Sequence, residues 1–178
     1  METKLCKVAL TALDKAMEVE RQGKAFYEQA AVRVQDQMGK AVFQTLARDE
    51  VEHLRLLQAE HEAIENEQEW MELDAAKVCE PQGPLKVYPD ETSAPMVIPE
   101  DASDLDALQM AMRFERDGYD AYIRAAEETD DSRGKSVYQF LAKQENSHYV
   151  FLQKTYDYLA SEGAWYFDEE EFPMFDGA

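Results

Sequence analysis

Apolar and polar positions follow a helical period over four stretches of the chain. From about Thr3 to Val34, the positions Ala9, Leu13, Ala16, Glu20, Gly23, Tyr27, Ala30 and Val34 alternate in steps of four and three, the seam of a helix packed in a bundle. Gln35-Asp36-Gln37-Met38-Gly39 supplies a turn. A second periodic stretch then runs to about Asp74, with Phe43, Leu46, Glu50, His53, Leu57 and Ile64 on its seam. Residues 75–103 break the pattern. Five of the six prolines (Pro81, Pro84, Pro89, Pro95, Pro99) fall there, which predicts a long non-helical connection. Ser103-Asp104-Leu105-Asp106 reads as a capping box, with Asp where Glu or Gln is usual, and opens a third helix. Its seam carries Leu108, Ala111, Glu115, Gly118, Tyr122 and Ala125. A turn over Thr129–Gly134 leads into a fourth helix, with Tyr138, Leu141, Glu145, His148, Leu152 and Leu159, ending near Gly163. The pattern predicts an all-α four-helix bundle over residues 1–164. It comprises one hairpin at about 3–74, a crossover at 75–103, a second hairpin at about 104–162, and an aromatic and acidic tail at 165–178.

The two hairpins are one unit written twice. Glu20 and Glu115, Glu50 and Glu145, and His53 and His148 are each 95 residues apart, and at the same offset Leu13, Ala16, Met17, Gly23, Tyr27, Ala30, Asp36, Gly39, Leu46 and Leu57 recur unchanged. A duplicated hairpin implies a pseudo-two-fold bundle. His61 stands opposite Tyr156 in this register and reads as a surface residue.

Composition narrows the functions open to such a bundle. A formal net charge of −20 argues against nucleic acid and anionic membrane as partners, since both would be repelled. No apolar run approaches the roughly 18 residues of a membrane span, and Met1-Glu2-Thr3-Lys4-Leu5-Cys6-Lys7 has no secretory apolar region, so a cytoplasmic location is expected. Cys6 and Cys79 are isolated, with no Cys-x-x-Cys, which excludes a rubredoxin-type or zinc-ribbon module within these residues and suits two reduced thiols.

The candidate chemistry lies on the seam itself. In Glu50-Val51-Glu52-His53 and Glu145-Asn146-Ser147-His148 a Glu and a His three apart share one helix face. Glu20 and Glu50 are centred on the first turn, Glu115 and Glu145 on the second. All four therefore lie about 15 residues, or roughly 22 Å, from their turns and at one height. Four carboxylates in a core each cost several kcal/mol unless compensated, and two divalent ions would neutralise them. Oxygen ligands with two imidazoles suit iron or manganese better than structural zinc. Tyr27 and Tyr122, seven residues beyond Glu20 and Glu115, are catalytic candidates at one remove, able to hydrogen-bond the ligands or quench one-electron oxidants. Asp49 and Gln144, each preceding a Glu, are placed to orient a His. Gly23 and Gly118 read either as sites of close helix packing or as room for a small oxidant.

The arrangement resembles the ferritin-like di-metal carboxylate pattern. More narrowly, Ala16-Met17-Glu18-Val19-Glu20-Arg21-Gln22-Gly23-Lys24-Ala25-Phe26-Tyr27 and Leu46-Ala47-Arg48-Asp49-Glu50-Val51-Glu52-His53 resemble the rubrerythrin family over about residues 5–160. That resemblance implies two iron ions, with manganese or a mixed pair as alternatives. It implies Glu50 and Glu145 as bridging ligands, Glu20 and Glu115 as terminal carboxylates, and His53 and His148 as terminal imidazoles. It also implies reduction of hydrogen peroxide or dioxygen, with electrons from a small redox protein. Without a rubredoxin domain in the chain, that donor is expected to be separate, such as a rubredoxin-like protein. Full-length rubrerythrins carry a further Glu where Gly118 stands. The six remaining ligands equally resemble a ferroxidase-type centre, so iron oxidation and binding without peroxidase turnover is the alternative. The crossover, up to roughly 95 Å when extended, allows exchange of hairpins between copies, and a homodimer, swapped or not, is the expected assembly. The tail from Trp165 is expected to lay its aromatics over a bundle end or a partner subunit.

Overall fold

The structure, a computed structural model, describes residues 4–67, 69–81 and 97–166, the side chains of residues 4–6 and 67 excepted. The expectations for Cys6, for most of the crossover and for the tail beyond residue 166 lie outside those residues. Among the described residues there are five helices and no strand: α1 (Lys4–Arg33), α2 (Gln37–Glu67), α3 (Leu73–Val78), α4 (Asp104–Glu128) and α5 (Ser132–Glu162). None is long and apolar enough to cross a membrane.

Each hairpin turns on an Asp whose side chain caps the second helix. Asp36 Oδ1 accepts from the backbone N–H groups of Met38 (2.8 Å) and Gly39 (3.2 Å), and its repeat counterpart Asp131 accepts from that of Arg133 (2.8 Å). The expected capping box opens α4: Ser103 Oγ accepts from the Asp106 amide at 3.2 Å, and Asp106 Oδ2 accepts from the Ser103 amide at 2.8 Å. Gly163 closes α5 in the left-handed conformation (φ 67°), satisfying the Leu159 carbonyl.

The start of α1, the end of α2, the end of α4 and the start of α5 share one apolar cluster, which includes Leu13, Leu57, Trp70, Tyr122, Tyr138 and Leu141. The opposite end of the bundle holds a second, with Phe26, Tyr27, Phe43, Leu46, Leu108, Leu152 and Trp165. Helices α2 and α4 thus run parallel, and the described ends of the crossover, at Ala76 and Ile98, belong to opposite clusters. Its returning end is held by Arg33, whose guanidinium donates to the carbonyls of Pro99 (2.5 Å), Glu100 (2.7 Å) and Ala102, while Gln29 Oε1 accepts from the Ile98 amide at 3.0 Å.

The second helix is shorter than its apolar pattern suggests, stopping at Glu67 rather than near Asp74, and a short helix, α3, follows in what reads as irregular connection. The cause is tertiary. Trp70 is 6 % exposed and lies over Gly134 and Tyr138, and Glu60 Oε2 accepts from the Met71 amide at 3.0 Å. These contacts fold the chain back over the bundle end instead of letting the helix run on.

Trp165 repeats this at the other end. It stands 95 residues after Trp70, with its indole against Gly39 and Phe43. Each hairpin therefore sends a Trp across to cover the turn of the other. A Cβ at Gly39 would lie 2.6 Å from the Trp165 ring, and one at Gly134 would lie 2.5 Å from Trp70, so glycine at both turns makes room for the indole. The aromatic end-capping expected of the tail is seen for Trp165. His61 departs from its surface reading. It is 5 % exposed, with Nε2 3.3 Å from Asp14 Oδ1, a contact mirrored by Gln109 donating to the Tyr156 hydroxyl at 2.8 Å. An Asp partner on α1, invisible to the α2 pattern, lets the imidazole be buried.

Candidate metal centre

Between the two apolar clusters lies a polar layer. Its members are Glu20 (α1), Glu50 and His53 (α2), Glu115 (α4), and Glu145 and His148 (α5), every one of them at most 2 % exposed. One ligand atom from each of Glu20, Glu50, His53 and Glu145 falls within 4.8 Å of the others, and the same holds for Glu50, Glu115, Glu145 and His148. Glu50 and Glu145 belong to both groups. The six residues singled out in the sequence are thus brought together by the two hairpins of one chain.

His53 Nδ1 lies 3.1 Å from Glu20, 3.3 Å from Glu50 and 3.4 Å from Glu145, and His148 Nδ1 lies 3.5 Å from Glu115. The imidazole rings stack with centroids 5.6 Å apart. Behind His148, Nε2 is 3.0 Å from Asp49 Oδ2, a contact across hairpins in which Nε2–H donates and Nδ1 is left facing the cluster. The sequence placed Asp49 in that role. Its counterpart Gln144 is 6 % exposed, and its Oε1 accepts no hydrogen bond from the described residues, so the two halves differ behind their imidazoles.

The tyrosines reach across as well. Tyr27 donates to Glu115 and Tyr122 to Glu20, each hydroxyl serving the carboxylate of the opposite hairpin. Burial, reinforced by those carboxylates, pushes both hydroxyl pKa values well up, so they remain donors. Gly118 does not border open space. A Cβ there would sit 3.2 Å from Glu145 Oε2, and one at Gly23 would sit 3.0 Å from Glu50 Oε1 and 2.6 Å from the Phe114 ring. The glycines let the two shared carboxylates lie against α1 and α4, the packing alternative of the two read from sequence.

Protonation follows position. Burial, then the neighbouring Glu20 charge, raises Glu50 well above the carboxylate range; burial, then Glu115 and Glu20, does the same to Glu145. At Glu20 burial is outweighed by the His53 charge and several hydrogen bonds, bringing it down to about 2, and at Glu115 it is outweighed chiefly by His148. Burial is likewise overcome at His148, where Glu115 and Asp49 push the imidazole up to about 10. Protein groups alone leave the layer undercompensated. Both oxygens of Glu50, Oε2 of Glu115 and Oε1 of Glu145 are buried and accept no hydrogen bond from the described residues, the imidazole Nδ1 atoms 3.3–3.5 Å from three of them being poorly aligned to donate. Such oxygens are costly unless a cation meets them. Hard carboxylates with two imidazoles are a donor set for iron or manganese. The residues fit a pair of such ions.

Two packed hairpins around a buried carboxylate–imidazole layer define an all-α protein of the ferritin-like kind. The family model described as Rubrerythrin matches residues 11–156, and the chain belongs to that family. No curated protein and no solved structure matches the chain. Sequence reading missed Trp70, Glu60 and the crossed indoles. The signal was available for the tryptophans, since the 95-residue offset that links the ligands also links Trp70 with Trp165.

Proposed function

We propose that this chain is a non-haem di-iron oxidoreductase that reduces hydrogen peroxide or dioxygen, drawing electrons from a separate donor such as a rubredoxin-like protein and protecting a cytoplasm from oxidants. The observation that carries the reading is that Glu50 and Glu145 are shared by two tetrads of ligand atoms, which suits one pair of carboxylates bridging two ions. Glu20 with His53, and Glu115 with His148, would then complete the two ends. When bound, a pair of iron ions supplies the two electrons that cleave an O–O bond.

The chain's own residues prepare the place. Tyr27 and Tyr122 hold the terminal carboxylates by hydrogen bonds. Asp49 holds His148 with Nδ1 turned inward, and the apolar clusters on either side keep bulk water out. A second reading, iron oxidation and binding without peroxidase turnover, is favoured by Gly118, which adds no carboxylate to the six and instead backs onto Glu145.

Stopped-flow oxidation of the iron-loaded protein separates the two. Repeated peroxide turnover with an added reductant supports the enzyme, and a single turnover followed by ferric accumulation supports storage. Glu50→Ala and Glu145→Ala should each abolish stoichiometric metal binding, as measured by elemental analysis. Unchanged metal content in both variants would defeat both readings.

A further inference from the structure

The hairpins are alike around the polar layer but differ on the way out from it. At one end Tyr122, bonded to Glu20, stacks on Tyr138 (centroids 6.2 Å, planes 23° apart), and Tyr138 meets the edge of Trp70 at 5.6 Å. At the other end Tyr27, bonded to Glu115, stacks on Phe43 with the same 6.2 Å and 23°, and Phe43 meets Trp165 at 5.8 Å. The geometry is duplicated and the chemistry is not. Phenylalanine has no oxidisable hydroxyl, so only the first row consists throughout of side chains that can lose an electron.

Two more observations single out that row. The Tyr138 hydroxyl is buried without a hydrogen-bond partner among the described residues, a costly state that phenylalanine avoids at position 43. Glu60, near enough that its charge adds to burial in raising the Tyr138 hydroxyl pKa, is fully buried with Oε1 likewise lacking a partner, so the two groups are close but not hydrogen-bonded in the resting structure. Thr155 stands at the equivalent place in the other hairpin, where its hydroxyl holds the Tyr166 carbonyl as Glu60 holds the Met71 amide. A threonine suffices to anchor the segment that folds back over the bundle end; a carboxylate adds a base within electrostatic reach of a phenol.

We propose that Trp70, Tyr138 and Tyr122 form a one-electron path between the bundle surface and the carboxylate–imidazole layer, with Glu60 as the proton acceptor of Tyr138, and that the Trp165 end does not conduct. The path deepens the oxidoreductase reading and rests on it for its use, the oxidant being peroxide or dioxygen and the reductant a soluble one-electron donor. Tyr122 gives one electron inward and its phenolic proton to Glu20. Tyr138 refills it with an electron as its hydroxyl closes onto the unpartnered Glu60 oxygen and passes its proton there, and Tyr122 recovers its proton from Glu20. Trp70 then supplies an electron to Tyr138, which takes its proton back from Glu60, and the external donor reduces the Trp70 radical. One electron enters for each one delivered, and no proton is consumed. Burial raises Glu60 to about 7, close to where a carboxylate can both take and return a proton near neutral pH.

The test needs neither peroxide nor a redox-active metal. In the full chain with its site filled by zinc, azidyl radicals from pulse radiolysis oxidise the two tryptophans. The expected result is a fast phase, independent of protein concentration, in which tryptophanyl absorbance gives way to tyrosyl absorbance. That phase should be lost in Tyr138→Phe, lost in Trp70→Phe and retained in Trp165→Phe. Glu60→Gln should slow it, and Phe43→Tyr should add a second fast component. Tyr138→Phe copies the other hairpin and removes an unpartnered hydroxyl, so it should fold. A fast phase that survives Tyr138→Phe, or one that depends on Trp165, would overturn the path. Peroxide turnover with no fast phase would overturn the path and leave the enzyme reading intact, while a fast phase without turnover would do the reverse.

Discussion

His53 and His148 occupy equivalent places, yet what stands behind them is not equivalent. A carboxylate that accepts the distal N–H of a ligating imidazole fixes its tautomer and raises its basicity, and loss of such a partner typically lowers metal affinity about 10–100-fold. Asp49→Ala should therefore weaken one of the two sites by roughly that factor, splitting a Mn²⁺ titration followed by calorimetry into two steps. Gln144→Ala should leave it a single transition; equal losses in the two variants would refute the asymmetry. The tyrosine hydroxyls bind charged acceptors in a dry core, so Tyr27→Phe and Tyr122→Phe should each destabilise the protein by about 1.5–3 kcal/mol in denaturant unfolding. Glu60 gives a stability that depends on pH. Its folded-state pKa of about 7 lies above the ordinary 4.5, so the protonated form is favoured by folding. The stabilisation it contributes is complete below about 4.5 and is lost as pH rises through about 7. Glu60→Gln keeps an acceptor for the Met71 amide and cannot titrate. It should flatten the decline between pH 5 and 8 and exceed the wild type at pH 8 by on the order of 2 kcal/mol, as read from Tm or chemical denaturation across that range.

At the scale of elements, the four long helices were legible because their seams alternate by three and four and their turns carry paired signals such as Asp36 and Asp131. The six polar residues of the layer were legible for the same reason. A helix period together with an exact repeat fixes both face and height, and that is enough to bring side chains from separate helices to one level. What the period cannot show is a contact made from outside a helix. The end of α2, the helix α3 and the burial of His61 all depend on partners elsewhere in the chain: Gly134 and Tyr138 for Trp70, Asp14 for His61. The glycines at the turns test this directly. In Gly134→Ala the added Cβ meets the Trp70 ring at 2.5 Å, and in Gly39→Ala it meets Trp165 and the Val34 side chain at 2.6 Å. Alanine is the better helix former, so propensity alone predicts stabilisation. Packing predicts the opposite, a loss of about 1–3 kcal/mol with a change in tryptophan fluorescence at the altered end, measurable in urea titrations monitored by emission.

For the molecule as a whole, a charged layer divides the apolar core in two, so what neutralises the layer also joins the halves. Without metal, Glu50 and Glu145 are held above the carboxylate range and His148 at about 10. All three shifts are upward, so the stability they contribute at low pH is lost as pH rises. Chelation should accordingly lower Tm more at pH 8 than at pH 6, and metal uptake should release protons, which calorimetry in buffers of differing ionisation heat detects. A gap in Tm that narrows with rising pH would count against this account. The crossed contacts carry a historical consequence. Tyr27 to Glu115 and Tyr122 to Glu20, Trp70 to Gly134 and Trp165 to Gly39, are each the other's image, the reciprocity that defines an isologous interface between identical subunits. One ancestral hairpin, paired with its own copy, would have possessed every one of them. In such a pair any substitution arrives twice, and Phe at one aromatic position means Phe at both. Two copies carried in one chain are free of that constraint, and Tyr138 differs from Phe43, Glu60 from Thr155 and Asp49 from Gln144.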